Sequence, residues 1–252
     1  MLGAPMRRAL LILGLLLACA GQGRAQTYKQ SNYCGGVSSG GTCAYSTNTT
    51  ATDTNLIFIL LGTSATSISV TDSHNTYTQL STTNCSGNYL ITAFEADNIF
   101  GGADTLTISW TGGGTADAIP TEYSGLAASA LDKTHCGTGT IAGASSGATA
   151  TTSFANELIV GFGGGCCGAW SSEQVNGSAT GVNVRQSNVN AAYEAMWDAN
   201  VTSTGTQTAS GTAATAVTWS LFVATFKASS QPGGAASRIG GPSRVGGPTR
   251  TD

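Results

Sequence analysis

Six consecutive apolar residues, Leu56-Ile57-Phe58-Ile59-Leu60-Leu61, run directly into Gly62. Side chains of a strand alternate between two faces, so an unbroken apolar run of this length reads as a strand covered on both sides and central in its sheet. The other segments are short, β-branched or aromatic, and separated by turn residues at the intervals of a sandwich. Ser67-Ile68-Ser69-Val70-Thr71 and Thr76-Tyr77-Thr78-Gln79-Leu80 flank Asp72-Ser73-His74-Asn75, whose polar turn formers predict a hairpin. Tyr89 to Phe94 comes next, and Gly101-Gly102 turns the chain into Thr105 to Trp110, where Leu106, Ile108 and Trp110 share one face. Ala127 to Thr152 is Ala/Gly/Ser/Thr-rich with Ile141 as its one apolar handle, and predicts a mobile loop. Glu157 to Phe162, Gly181 to Val184 and Ala192 to Trp197 are further strands. Val217 to Lys227 is the last; its Val217, Trp219, Leu221 and Val223 share a face, and it is expected to close the sheet. With no helical period after the leader, the fold class expected is all-β: one antiparallel jelly-roll-like β-sandwich over residues 26–228 with disulfide-stapled loops.

Residues 1–25 have the form of a secretory signal, with Arg7-Arg8, an apolar run from Ala9 to Ala18 and small residues after it. Three processing outcomes fit: cleavage after Ala25, which is preferred, cleavage after Ala20, or lipidation of Cys19, since Leu16-Leu17-Ala18-Cys19 has the pattern of a bacterial lipobox. Arg7-Arg8 reads as an ordinary charged leader segment rather than a twin-arginine signal. The expected location is therefore secreted, extracellular or at the cell surface.

Export fixes how the cysteines are read. Cys34, Cys43, Cys85, Cys136, Cys166 and Cys167 are six thiols in an oxidising compartment, which implies three disulfides. Cys34 and Cys43 bracket a flexible Gly/Ser loop and are the first pairing expected. Cys166-Cys167 leaves two choices, a vicinal bridge or separate bonds to Cys85 and Cys136.

Charge excludes one class of partner. Of the 10 Lys and Arg, three lie in the leader, which leaves 7 against 13 Asp and Glu, a formal −6 from Gln26 onward. Phosphate binding needs a basic surface, so a nucleic acid is not an expected partner. Residues 229–252 are Gly- and Pro-rich with Arg238, Arg244 and Arg250 six apart, and read as a disordered, mildly basic tail, a solvated end or a tether to an acidic surface polymer.

The succession Asn55-Leu56-Ile57-Phe58, Val70-Thr71-Asp72-Ser73-His74-Asn75-Thr76-Tyr77-Thr78, Glu122-Tyr123-Ser124-Gly125-Leu126 and Asn156-Glu157-Leu158-Ile159-Val160-Gly161 resembles a class of uncharacterised exported bacterial β-sandwich proteins. The likeness spans roughly Asn55 to Lys227 and departs in the hairpin, where those proteins carry Ser-x-Gly-Asn. It implies the fold and export, and brings no catalytic residues.

Candidate chemistry is sparse. Glu122, beside Tyr123 at the end of an extended segment, is the one candidate catalytic acid; the alternative is that it accepts hydrogen bonds from loop backbone and holds the Ser124-Gly125 turn, after which the chain enters its longest loop. Glu95-Ala96-Asp97-Asn98-Ile99-Phe100 is the nearest match to the Glu-x-Asp-x-x-Glu strand of concanavalin-like hydrolases, with Phe100 where the last acid belongs. The histidines, His74 and His135, lie near no nucleophile elbow. His135-Cys136 with Cys166-Cys167 supplies zinc-type ligands only if the thiols are reduced. Asp72, Asp97 and Asp132, with Asn98, Asp104 and Asp117, are loop oxygens of the kind Ca²⁺ takes, without an Asp-x-Asp-x-Asp spacing. Trp110 and Trp219 follow the inward alternation. Trp170, after the Cys166-Cys167 loop, is expected at the surface, where with Tyr123 it is a candidate ligand contact. The sequence thus reads as a non-enzymatic structural or adhesive module, against two alternatives: a carbohydrate-binding module using Trp170 and loop acids, and a polysaccharide hydrolase centred on Glu122. Extracellular polysaccharide or another surface polymer is the partner class, and no cofactor other than Ca²⁺ is indicated.

Overall fold

The computed structural model describes residues 26–229 apart from 81–84, 86–88, 166–168, 190–193 and 214–217. The leader over 1–25, Cys19, Cys166, Cys167 and all of the tail beyond Ser229 lie outside the described residues. The first half of the chain forms β1 (Thr27–Ser31), β2 (Cys34–Val37), β3 (Gly41–Ala44), β4 (Thr54–Gly62), β5 (Thr66–Thr71), β6 (Thr78–Gln79), β7 (Tyr89–Ala96), β8 (Thr105–Thr111) and β9 (Ala116–Ser124). The second forms β10 (Leu126–Gly139), β11 (Gly143–Ser145), β12 (Glu157–Gly165), β13 (Trp170–Val175), β14 (Asn183–Val189), β15 (Glu194–Val201), β16 (Ala209–Ala213) and β17 (Trp219–Ala228). All ladders are antiparallel, and no helix occurs among the described residues. The sandwich expected from the strand pattern is present.

It is present twice. One sheet has the order β1-β9-β4-β7-β6, with β2 also on β9, and faces a smaller sheet β3-β8-β5. The second half repeats this as β10-β17-β12-β15-β14 facing β11-β16-β13, so each half is a jelly roll and, β2 apart, the strands of the two correspond one to one. A single residue joins them: Gly125, at φ +81°, lies between the end of β9 and the start of β10. A side chain is disfavoured at that angle, which is why a glycine stands at the joint.

The apolar run explains the stacking. β4 lies between β9 and β7 and is buried along its whole length except Gly62. Leu56, Phe58 and Leu60 point to the second half, against Leu158, Val160, Phe162, Phe222 and Phe226, with the Phe58 and Phe162 rings 5.6 Å apart. Ile57, Ile59 and Leu61 point the other way, onto Val70, Leu106, Ile108 and Trp110 of the small sheet. On the far side Ile159, Trp197, Trp219, Leu221 and Val223 pack against Trp170, Val175 and Ala209. Four layers result, with the two large sheets innermost, and each fully buried Leu, Ile or Phe contributes about 1.5–3 kcal/mol.

Several local expectations change. β5 and β6 do not form a hairpin: β5 pairs with β8 and β6 with β7, because the intervening loop carries the chain from the small sheet to the large one. Ala127 to Thr152 is not a loop throughout, since β10 runs for 14 residues against β17 before β11 begins. Its small side chains suit an outermost strand that is only half covered. The last strand, β17, consequently sits one place in from the edge instead of closing the sheet.

The glycines of β12 are a packing device. A Cβ on Gly161 would stand 2.6 Å from Trp197 Cε2, and one on Gly163 would stand 3.1 Å from Trp170 Cη2. The indoles occupy the space these residues leave, and overfilling such a core costs about 1–3 kcal/mol. Gly161→Ala is therefore expected to lower the urea midpoint by an amount in that range, while Gly62→Ala, with open space around its Cβ, leaves it within about 0.5 kcal/mol.

Candidate functional site

The residues singled out in the sequence are occupied by internal bonds. Glu122 is buried on β9, where one carboxylate oxygen accepts the Gln30 amide at 2.7 Å and the other the Thr50 backbone N–H at 2.6 Å. It accepts from loop backbone, but at Thr50 rather than at the Ser124-Gly125 turn, and so holds the approach to β4 against β1. Tyr123 is not a surface contact. Its ring is fully buried, its hydroxyl donates to Asp198 at 2.7 Å, and Asp198 also receives Arg185 through Nε at 2.7 Å and Nη2 at 3.0 Å. The Arg185 guanidinium lies 4.0 Å from the centre of the Tyr28 ring, so this cluster ties β1 and β9 of the first half to β14 and β15 of the second. Trp170 is also buried, 6.1 Å from the Trp197 ring. The glycines of β12 admit the indole into the core, so the strand that Trp170 opens turns its ring inward instead of presenting it to solvent.

Cys34 and Cys43 are joined, as are Cys85 and Cys136. Bonds from Cys166 and Cys167 to those last two are thereby excluded, and Cys136 cannot serve zinc beside His135, whose Nδ1 contacts the Ser146 carbonyl at 2.5 Å. His74 is a turn residue, with Nδ1 2.8 Å from the Ser73 hydroxyl and its ring stacked on Phe100 at 4.9 Å.

Asp72, Asp97 and Asp132 do not converge on a cation; each instead meets a second carboxyl group. Asp72 lies beside Asp104, Asp97 beside Glu95 and Asp132 beside Glu157, while Asp117 and Glu194 form a fourth pair. Among the described residues no three His, Cys, Asp or Glu side chains form a metal-binding group. The cause is a shortage of cations: Lys29, Lys133, Arg185 and Lys227 face twelve acids in the described chain. A carboxyl group buried beside another carboxyl is costly to ionise. Burial, reinforced by the neighbouring carboxyl, pushes Glu157 to about 7 and Asp104 to about 6. It also holds Glu95 and Glu194 well above the usual carboxylate range. Two of the partners are pulled the other way despite some burial. Asn75 and His74 donors lower Asp72, and Lys133 and Ser153 hold Asp132 at about 2.

One pair lies in a cleft of about 390 Å³. Glu95 and Asp97, two residues apart at the end of β7, point to the same side of the strand. Glu95 accepts the Ala130 N–H at 2.7 Å and Asp97 the Ser129 N–H at 2.5 Å, where β10 bulges and Ser129 adopts φ +49°. The second Asp97 oxygen is buried and receives no N–H or O–H from the protein. The walls are Thr76, Thr78 and Ser129, whose hydroxyls bond to no other described residue, together with Gln79, Leu80 and Leu131. Sequence reasoning found Glu95 and Asp97 through the hydrolase-like spacing but missed these hydroxyls, which carry no signal in so Ser/Thr-rich a chain.

Comparison with protein-family models, with curated proteins and with solved structures returned no match.

The carboxyl pairs predict an acid-shifted stability profile. An acid whose folded pKa is raised binds its proton more tightly in the native state; its contribution is complete below the unfolded value and is lost as pH rises through the folded one. Glu95, Asp104, Glu157 and Glu194 all act in this direction. Thermal melts are expected to give a maximum Tm near pH 4–5 and a fall of about 5 °C by pH 8.5. Below that maximum, stability declines as Asp72 and Asp132 protonate. Trp170→Ala is expected to cost about 3–5 kcal/mol by urea unfolding, the loss of a buried ring rather than of an exposed ligand contact.

Proposed function

We propose that the protein is an exported, non-enzymatic β-sandwich module with a structural or adhesive role at or beyond the cell surface. The two disulfides among the described residues suit a chain that folds in an oxidising compartment. The observation that carries the reading is the commitment of Glu122, whose two oxygens are both taken up by Gln30 and Thr50, so that it braces the fold and faces no substrate. The other acids of interest are committed to the fold as well: Glu95 accepts the Ala130 N–H and Asp97 the Ser129 N–H.

The test is turnover. Wild type and Glu122→Gln, incubated with a panel of soluble polysaccharides, are both expected to release no reducing ends. Glu122→Gln is expected to lose about 1–3 kcal/mol of stability through one unsatisfied donor. Release by the wild type that disappears in a folded Glu122→Gln would overturn the non-enzymatic reading.

A further inference from the structure

The two halves make an internal control for the Glu95–Asp97 cleft. In the ladders, Glu95 stands opposite Leu56 of β4, and Asn200 stands opposite Leu158 of β12. The two positions are therefore equivalent, and Thr202 is the counterpart of Asp97. Both Glu95 and Asn200 reach the start of the other half: Glu95 takes the Ala130 N–H, and the Asn200 amide donates to the Gln26 carbonyl at 3.2 Å. An uncharged amide thus performs the bracing task in the second half without a second acid beside it. The first half adds what bracing does not require, namely an open cleft, a second carboxyl, and hydroxyls that make no bond within the described protein.

We propose that this cleft binds one residue of a neutral polysaccharide chain. A hydroxyl both donates and accepts, so Thr76, Thr78 and Ser129 match the hydroxyl edges of a sugar ring. Leu80 and Leu131 offer an apolar wall to its C–H face. At about 390 Å³ the cleft falls within the size of small-ligand sites, roughly 300–1,000 Å³. The sign of the charge excludes uronate-bearing polymers: the floor is acidic, and the described chain carries four bases against twelve acids. The main-chain bonds from Ser129 and Ala130 fix the carboxyl pair, so the floor is in place before a ligand arrives. This assignment rests on the adhesive, non-enzymatic reading and supplies what such a module would hold.

Affinity electrophoresis tests it, with the full chain run through gels containing mixed-linkage β-glucan, glucomannan, arabinoxylan or polygalacturonate. Thr78→Arg and Thr76→Arg place a long side chain in the cleft from exposed positions; Thr105→Arg adds the same charge on the small sheet, away from it. Retardation of the wild type by at least one of the three neutral polymers is expected. It should weaken at least tenfold in Thr78→Arg and Thr76→Arg, each with its circular dichroism spectrum unchanged, and persist in Thr105→Arg. No retardation by any neutral polymer, retardation by polygalacturonate alone, or undiminished retardation in both cleft variants would overturn the site. Reducing-end release is measured on the same polymers. Release would sink the non-enzymatic reading whatever the gels show, and retardation without release leaves both statements standing.

Discussion

The contact on which the rest of this fold depends is the burial of one large sheet against the other. β4 and β12 each present apolar side chains on alternate positions toward their counterpart, and the Phe58–Phe162 pair sits in that contact. A jelly roll taken alone would leave this face wet, with several fully buried Leu, Ile and Phe side chains transferred to water at about 1.5–3 kcal/mol each. The halves are therefore two repeats of a topology but one unit of stability, and the described residues between Gln26 and Ser229 form a single compact body. Polar contacts at the margins of the same interface, from Tyr123 through Asp198 to Arg185 and Tyr28, set the register of the halves more than they add to the energy.

A second constraint arises from composition. With so few lysines and arginines, the chain cannot neutralise its buried acids with ion pairs, and the described ion pairs are Lys133–Asp132 and Arg185–Asp198. Buried acids are left to amide and backbone N–H donors, as at Glu122, or to raised pKa values, as at Glu95, Asp104, Glu157 and Glu194, and the latter link the interior to the acidity of the surroundings. The same chemistry gives the cleft its floor, so that a feature arising from the scarcity of cations also furnishes a polar surface.

The architecture was legible where side-chain periodicity carries it. The unbroken run at Leu56–Leu61 and the alternation at Leu106, Ile108 and Trp110 mark buried strands because burial is a local demand on each residue. The duplication was not legible as such, although Asn55-Leu56-Ile57 and Glu157-Leu158-Ile159 occupy equivalent strands; few identities survive between β4 and β12 because glycines replace Ile59 and Leu61 to admit two indoles. The inward turn of Trp170 was hidden for the same reason, since the space it fills is made by Gly163 and Gly211 on other strands. Glu122-Tyr123-Ser124-Gly125-Leu126 could be recognised as special, yet its place as the joint between two jelly rolls is set by the second of them. The small residues after Leu126 look like loop until β17 is there to pair with them. The acids show the limit most plainly: Asp72, Asp97 and Asp132 stood out as oxygen-bearing loop residues, but their partners Asp104, Glu95 and Glu157 are set by tertiary proximity.

The Cys85–Cys136 bridge closes a loop with a sequence separation of 51 that contains β7, β8, β9 and the Gly125 joint. Under tension applied at Gln26 and Ser229, the enclosed chain, roughly 170 Å when extended, is withheld from stretching however far the sheets are pulled apart. The covalent path between the halves is thus much shorter than the polypeptide path. Tension therefore passes from one half to the other through the bridge, and only the chain outside Cys85–Cys136 can lengthen.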